Sequence, residues 1–246
     1  MKRYLLFASR NTKEILRDPL NLAFGVGFPL IVLLLLSTIQ ANIPEPIFEI
    51  QNITPGIAVF GYSFLALFSG TLIAKDRSSS FMLRLFASPL TAADFILGYT
   101  LPLLPMAVLQ SALCFLFALI WGLPFHGNTL LTILVLLPAA IFFISVGLLA
   151  GTLLTDKQVG GICGALLTNL SAWLSGTWFD LNLIGGAFSA IAYALPFAHA
   201  VDAGKAALQG NYEEILPHLW WVLGYAAAMG ILAVLVFQRK MHSDET

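Results

Sequence analysis

The residues whose types could do chemistry are few in this chain, and their spacing assembles no catalytic or metal centre. His126, His199, His218 and His242 stand apart from one another, and no H-E-x-x-H places two of them on one helical face for a metal. The two cysteines, Cys114 and Cys163, lie inside apolar runs without C-x-x-C spacing, so they read as packing residues rather than ligands or a disulfide. A serine nucleophile needs a histidine within hydrogen-bond reach. Ser69-Gly70 or Ser175-Gly176 with His199 are the pairings the residue types suggest, but neither serine stands in a G-x-S context. Glu213-Glu214 near His218 lacks a third ligand and reads as a solvated acidic patch. No G-x-x-x-x-G-K-[ST] occurs either, so no P-loop nucleotide site is expected. The expectation is a non-enzyme without cofactor or metal.

Composition says what kind of scaffold carries these residues. Of 246 residues, 59% are apolar and only 10% are Asp, Glu, Lys or Arg, against roughly 25% charged in an average soluble domain. That is too little charge to cover a water-facing surface. Disorder is excluded by the same figures, because an unfolded chain needs low hydrophobicity and high net charge, whereas the mean hydropathy is +0.87 and the net charge is -1. An all-α integral membrane protein remains. No signal peptide fits residues 1–18, which Lys2, Arg3, Arg10, Lys13 and Arg17 interrupt before any long apolar run begins.

Gaps between charged residues mark the spans, since a charge at a helix centre costs about 2.5–3.5 kcal/mol on an insertion scale and about 20 apolar residues cross the bilayer core. They predict six transmembrane helices near residues 20–39, 55–73, 95–121, 130–154, 160–178 and 219–237, in one domain covering residues 1–246. Trp121-Gly122-Leu123-Pro124 breaks the longest gap into two spans. Six crossings put Lys2, Arg3, Arg10, Lys13, Arg17, Lys75, Arg77, Arg84, Lys157, Arg239 and Lys240 on the cytoplasmic side and leave Lys205 outside, as the positive-inside rule demands. A seventh crossing at residues 181–201 would send Arg239 and Lys240 to the wrong face. That segment, with Gly185-Gly186 and Pro196, is therefore expected to be re-entrant, entering the outer leaflet and returning. Both termini are then cytoplasmic. Orientation accounts for the basic residues, so no nucleic-acid partner is called for.

Two segments outside the spans carry information. Residues 1–18 sort on a helical wheel into a basic arc with Arg3, Arg10, Lys13 and Arg17 and an apolar arc with Tyr4, Leu5, Ala8, Ile15 and Leu16, the pattern of an interfacial amphipathic helix. The cytoplasmic connection at residues 75–94 holds Phe81, Met82, Leu85 and Phe86 in one helical stripe. Such a stripe is a docking surface for a partner or a second interfacial helix. Thr91-Ala-Ala-Asp94 has the capping-box form that starts the next helix. Within the spans, small-residue motifs at Gly147/Gly151, Gly160/Gly164 and Ser171/Ser175 suit close helix packing. No Asp, Glu, Lys or Arg sits deep in a span. An ion-coupled carrier would place ionisable groups there, so the alternative of a self-sufficient channel or ion-driven carrier loses ground.

Arg17-Asp18-Pro19 before a span containing Phe28-Pro29, the run from Lys75 through Arg77, Phe81, Arg84 and Ser88-Pro89 to Leu90, Leu174-Ser175-Gly176-Thr177-Trp178-Phe179, and Leu195-Pro196-Phe197 occur in that order. In this order, and with the six-span layout, the chain resembles the type-2 permease family of ATP-binding cassette (ABC) exporters. The resemblance implies two permease copies, in a homodimer or related heterodimer, working with cytoplasmic ABC ATPase subunits that bind the ATP. It implies an inner (plasma) membrane location and export, with multidrug efflux as one form of that activity; the aromatic, neutral character of the path residues named below points to an amphiphilic or apolar substrate, a drug, lipid or peptide, rather than a polyanion. Arg77, Phe81, Met82, Leu85 and Phe86 would form the coupling segment, although Asp76 and Ser78-Ser79-Ser80 stand where family members often have E-x-G-T. The substrate path would be lined by Phe60, Phe64, Leu67 and Phe68 of span two and by Asn169, Ala172, Trp173 and Gly176 of span five.

Overall fold

The computed structural model describes residues 3–79 and 90–243, with side chains over 4–79 and 90–240. Helix α1 covers Arg3–Leu16. Asp18 then caps the following helix, its carboxylate accepting from the Asn21 N–H at 3.2 Å, and Pro19 occupies the first turn, where a missing N–H is harmless. This helix, α2, runs over Pro19–Gln40 and passes through a π-helical stretch at Ala23–Gly27. Pro29 explains the wider turn: it has no N–H for the Gly25 carbonyl, and the ladder shifts by one residue on approaching it. Helix α3 is Ile50–Ser78. Helix α4 is Ala92–Ile120, opened by Thr91 and Asp94, which cap each other reciprocally. Helix α5 is Asn128–Leu153.

After a tight link, Asp156–Val159, the π-helical Gly160–Leu167 and Thr168–Leu174 follow one another without a break and are together called α6. Thr155 and Gln158 cap its start reciprocally. Three short helices come next, α7 (Leu181–Ile184), α8 (Gly186–Ala194) and α9 (Pro196–Gln209), before the long α10 (Tyr212–Ser243). Among the described residues there is no strand.

Among the described residues five helices, α2, α3, α4, α5 and α10, are long and apolar enough to cross a membrane. The segment expected at 160–178 is helical only as far as Leu174, and the helix that carries it, α6, begins with the polar Asp156, Lys157 and Gln158, which with Asn169 dilute its apolar character. Segment 181–201 is broken twice. Gly185, at φ +63°, ends α7, and Pro196 begins α9, which continues to Gln209 rather than ending at Val201. At about 1.5 Å per residue, neither α8 nor α9 reaches across a hydrocarbon core of about 30 Å.

Helix α3 is the axis of the molecule. Of its most apolar window 89% is buried inside the protein, against 17% for α10 and 28% for α2, so the outer faces of the latter two are left for lipid or another chain. The α3–α5 seam is closed by the absence of side chains. A Cβ on Gly147 would strike the Ala66 carbonyl and Ser69 Oγ, and one on Gly151 would strike the Gly70 backbone. Ser69 Oγ uses the close approach to donate across to the Ile144 carbonyl at 3.1 Å. Gly160, in a motif of the same form, would meet nothing.

Helix α1 departs from the expected amphipathic arrangement. Its buried residues are Phe7, Ala8, Asn11 and Ile15, while Leu5, Leu6 and Leu16 are exposed. Phe7 packs edge-on against Phe95 and Tyr99 of α4, with centroids 5.7 and 4.9 Å apart. Asn11 Nδ2 donates to the Gly98 carbonyl at 3.0 Å. Pro102 cannot supply that carbonyl's usual helical donor, so a polar residue on α1 is buried to do so. The helix therefore shows one apolar face to α4 and another outward.

Candidate functional site

Phe60 and Phe64, one turn apart on α3, face the first spanning helix and α6 together. Phe28 of α2 lies 6.1 Å from Phe60 and 5.6 Å from Phe64, centroid to centroid, and Phe24 lies 6.2 Å from Phe64. Trp178 meets Phe60 edge-on at 5.8 Å. Between these rings and α6 is a cleft of about 620 Å³, completed by Thr168, Asn169, Ala172 and Trp173. None of its lining residues is charged. The π-helical turn of α6 shapes this wall, with Thr168 Oγ1 donating five residues back to the Cys163 carbonyl at 3.0 Å. Asn169 Nδ2 donates to the Ala165 carbonyl at 2.8 Å.

Five of the eight residues expected on a substrate path thus line one cleft: Phe60, Phe64, Asn169, Ala172 and Trp173. The other three lie elsewhere. Leu67 approaches Gly164 beside the cleft. Phe68, eight residues after Phe60 and therefore about 80° round the helix, is buried against Gly25 and Met106. Gly176 sits at φ +69° in the turn after α6 and lines a separate cavity of about 650 Å³ with Asp180, Asp202 and Lys205. The sequence reading missed Phe24, Phe28 and Trp178, although Phe24-x-x-x-Phe28 repeats the one-turn spacing of Phe60 and Phe64.

At the other end of α3 the chain leaves towards the expected coupling segment from a clamped base. Asp76 is buried and accepts from both terminal nitrogens of Arg10 at 2.7 and 2.8 Å and from the Tyr99 hydroxyl at 2.8 Å. Arg10 also pairs with Glu14. Burial pulls the Arg10 guanidinium down, but the hydrogen bond and charge of Asp76 outweigh it and hold its pKa above the ordinary value. The neighbouring Arg77 turns inward and donates to the carbonyls of Gly151 at 2.9 Å and of Thr152. These lie in the last turn of α5, where helical carbonyls lack intrahelical donors. Arg77 was expected to act in the coupling segment with Phe81, Met82, Leu85 and Phe86; its guanidinium ties the end of α3 to α5, and those four lie outside the described residues. The sequence marked Asp76 only as standing at the acidic position of E-x-G-T; its pairing with Arg10 and Tyr99 gave no signal, because both are remote along the chain.

The histidines are less isolated than their spacing suggested. Nδ1 of His199 on α9 lies 2.8 Å from Nδ1 of His218 on α10, and His199 Nε2 lies 2.9 Å from the Tyr193 carbonyl. Burial lowers the His199 pKa and His218 adds to this, against opposing contributions from the Tyr193 carbonyl and Asp202. The serines weighed as nucleophiles are engaged elsewhere: Ser69 with carbonyls of Ala66 and Ile144, and Ser175 with the Thr177 hydroxyl at 2.6 Å.

Comparison with protein families gives a match to the model described as ABC-2 type transporter over residues 3–208. No curated protein and no solved structure matches the chain.

Proposed function

Because the chain belongs to the ABC-2 type transporter family and is a permease component of an ABC transporter, we propose that it exports an amphiphilic or apolar substrate, a drug, lipid or peptide, with energy from separate cytoplasmic ATPase subunits. In this reading α6 is the fifth of six crossings, and α8 and α9 form the re-entrant hairpin. Both termini then lie in the cytoplasm and the basic residues are gathered there. The protein sits in the inner (plasma) membrane. A second permease copy packs on α6, where Ile162, Leu166 and Trp173 are exposed, and closes the aromatic cleft. The observation that supports the substrate class is the lining of that cleft. It offers aromatic faces, a hydroxyl and one carboxamide, and it offers no cation to a polyanion.

Residues 75–94 are the proposed coupling segment, with Phe81, Met82, Leu85 and Phe86 as its docking stripe. The clamp at Asp76 and Arg77 supports this reading: a segment that transmits force to the spans needs a base that does not yield. The test is co-purification with an ATPase subunit, combined with ATP-driven efflux of labelled amphiphiles from vesicles containing both proteins. Phe81→Asp and Leu85→Asp are expected to abolish association and efflux while membrane insertion is unchanged. Unaltered association and transport would sink the coupling assignment. Substitution of Phe60 or Phe64 by Ala is expected to reduce efflux several-fold with ATPase association intact.

A further inference from the structure

The second face of α1 frames a groove of about 670 Å³, larger than the aromatic cleft and on the other side of α2. Its walls are apolar: Ala8 and Ile15 from α1, Val26 from α2, and Pro105, Met106 and Leu109 from α4. Polarity is confined to one rim, where Ser9, Thr12 and Lys13 follow one another on α1. Lys13 is exposed and makes no ion pair among the described residues, and none of the lining residues is acidic.

Depth matches this polarity. From the start of α4 at Ala92, Leu101 lies about 13 Å along the helix and Leu109 about 25 Å at 1.5 Å per residue, so the α4 wall of the trough runs for about 12 Å inside a hydrocarbon core about 30 Å thick. A trough of that length, with a lone cation and hydroxyls at its shallow end, has the chemistry of an acyl chain below a phosphate.

We propose that the groove between α1, α2 and α4 binds one anionic phospholipid of the cytoplasmic leaflet, its acyl chain along Met106 and Leu109 and its phosphate on Lys13. The lipid is structural rather than cargo. It fills the outward side of α1, whose inward side carries Arg10 to Asp76, and so sets the height of the helix that clamps the coupling segment. Which leaflet is involved rests on the orientation proposed above, but lipid retention requires neither ATPase nor cargo, so this proposal and the transport reading fail separately.

The full chain is reconstituted in vesicles of equal phosphatidylcholine and phosphatidylglycerol, extracted in mild detergent, and its retained lipid quantified by mass spectrometry. Phosphatidylglycerol is expected to be enriched several-fold over its share. Lys13→Gln removes the enrichment, Lys13→Arg keeps it, and Lys157→Gln, a cation remote from the groove, leaves it unchanged. Leu109→Trp, at an exposed position that tolerates bulk, fills the trough and lowers retention of both lipids. Equal loss in Lys157→Gln, or no loss in Lys13→Gln, would overturn the proposal. So would a crosslink from Leu109→Cys to a second copy or another protein in the vesicle, since the groove would then be a protein interface.

Discussion

Asp76 shows how a single carboxylate can tie three elements together. It lies on α3, its ion-pair partner Arg10 on α1 and its hydroxyl donor Tyr99 on α4. Removing one member of a fully buried ion pair typically costs about 3–5 kcal/mol, because the other is stranded. Arg10 keeps 35% of its side chain exposed, and Asp76 would retain Tyr99, so the loss for Arg10→Ala is expected to be smaller, about 1–3 kcal/mol. Thermal unfolding in detergent measures it, and Arg10→Ala with Asp76→Ala completes a double-mutant cycle. The double variant should lose clearly less than the sum of the single losses, with a coupling of about 1 kcal/mol or more. Additive losses would mean that the pair does not act as a clamp. None of this was legible in the sequence, where Arg10 read as one cation on the polar arc of an interfacial helix. Periodicity reports which face a residue shares with its near neighbours; it carries nothing about a partner in another helix.

Helices were the most legible level, and their contacts were legible only in part. Charge-free gaps located α2 to α5 and α10, and Thr91 with Asp94 marked where α4 begins, because caps and hydropathy are local properties. The same locality explains why the packing of α1, the end of α6 at Leu174 and the helix breaks within residues 181–201 were not legible. Phe7 lies outside the apolar arc of Tyr4, Leu5, Ala8, Ile15 and Leu16, yet it is the residue that α4 receives, and Gly98 is what admits it, since a Cβ there would strike the Phe7 ring. Small-residue motifs show the limit most directly. Gly147 and Gly160 stand in motifs of identical form, but only the first faces a neighbouring backbone. Gly147→Ala is therefore expected to destabilise by about 1–3 kcal/mol through overpacking against Ala66 and Ser69. Gly160→Ala should be neutral or stabilising by about 0.4–1 kcal/mol, through the reduced freedom of the unfolded chain. Unfolding midpoints of the two variants, measured side by side, should shift in opposite directions or only for Gly147; equal destabilisation would refute the seam as described.

At the scale of the whole molecule the open question is how many times the chain crosses, and it turns on α6. From Asp156 to Leu174 the helix falls a little short of the roughly 30 Å core, and its first turn is polar, as befits a helix starting at a water interface. If α6 crosses and α8 with α9 turns back, the link at Gln158 and the end of α10 share a face, while Asn211 lies opposite. If α6 does not cross, Asn211 stays on the side of Gln158 and α10 carries Arg239 and Lys240 to the far side, against the positive-inside bias. Single cysteines at Gln158, Asn211 and Gln238, in a chain whose buried Cys114 and Cys163 are replaced by Ala, separate the two arrangements with a membrane-impermeant thiol reagent. Asn211→Cys is expected to be labelled in intact cells, and Gln158→Cys and Gln238→Cys only after the membrane is opened. Labelling of Gln238→Cys in intact cells would remove α6 as a crossing. The aromatic cleft would then lose its place on a transmembrane path, since Asn169, Ala172 and Trp173 reach it only from a helix that spans.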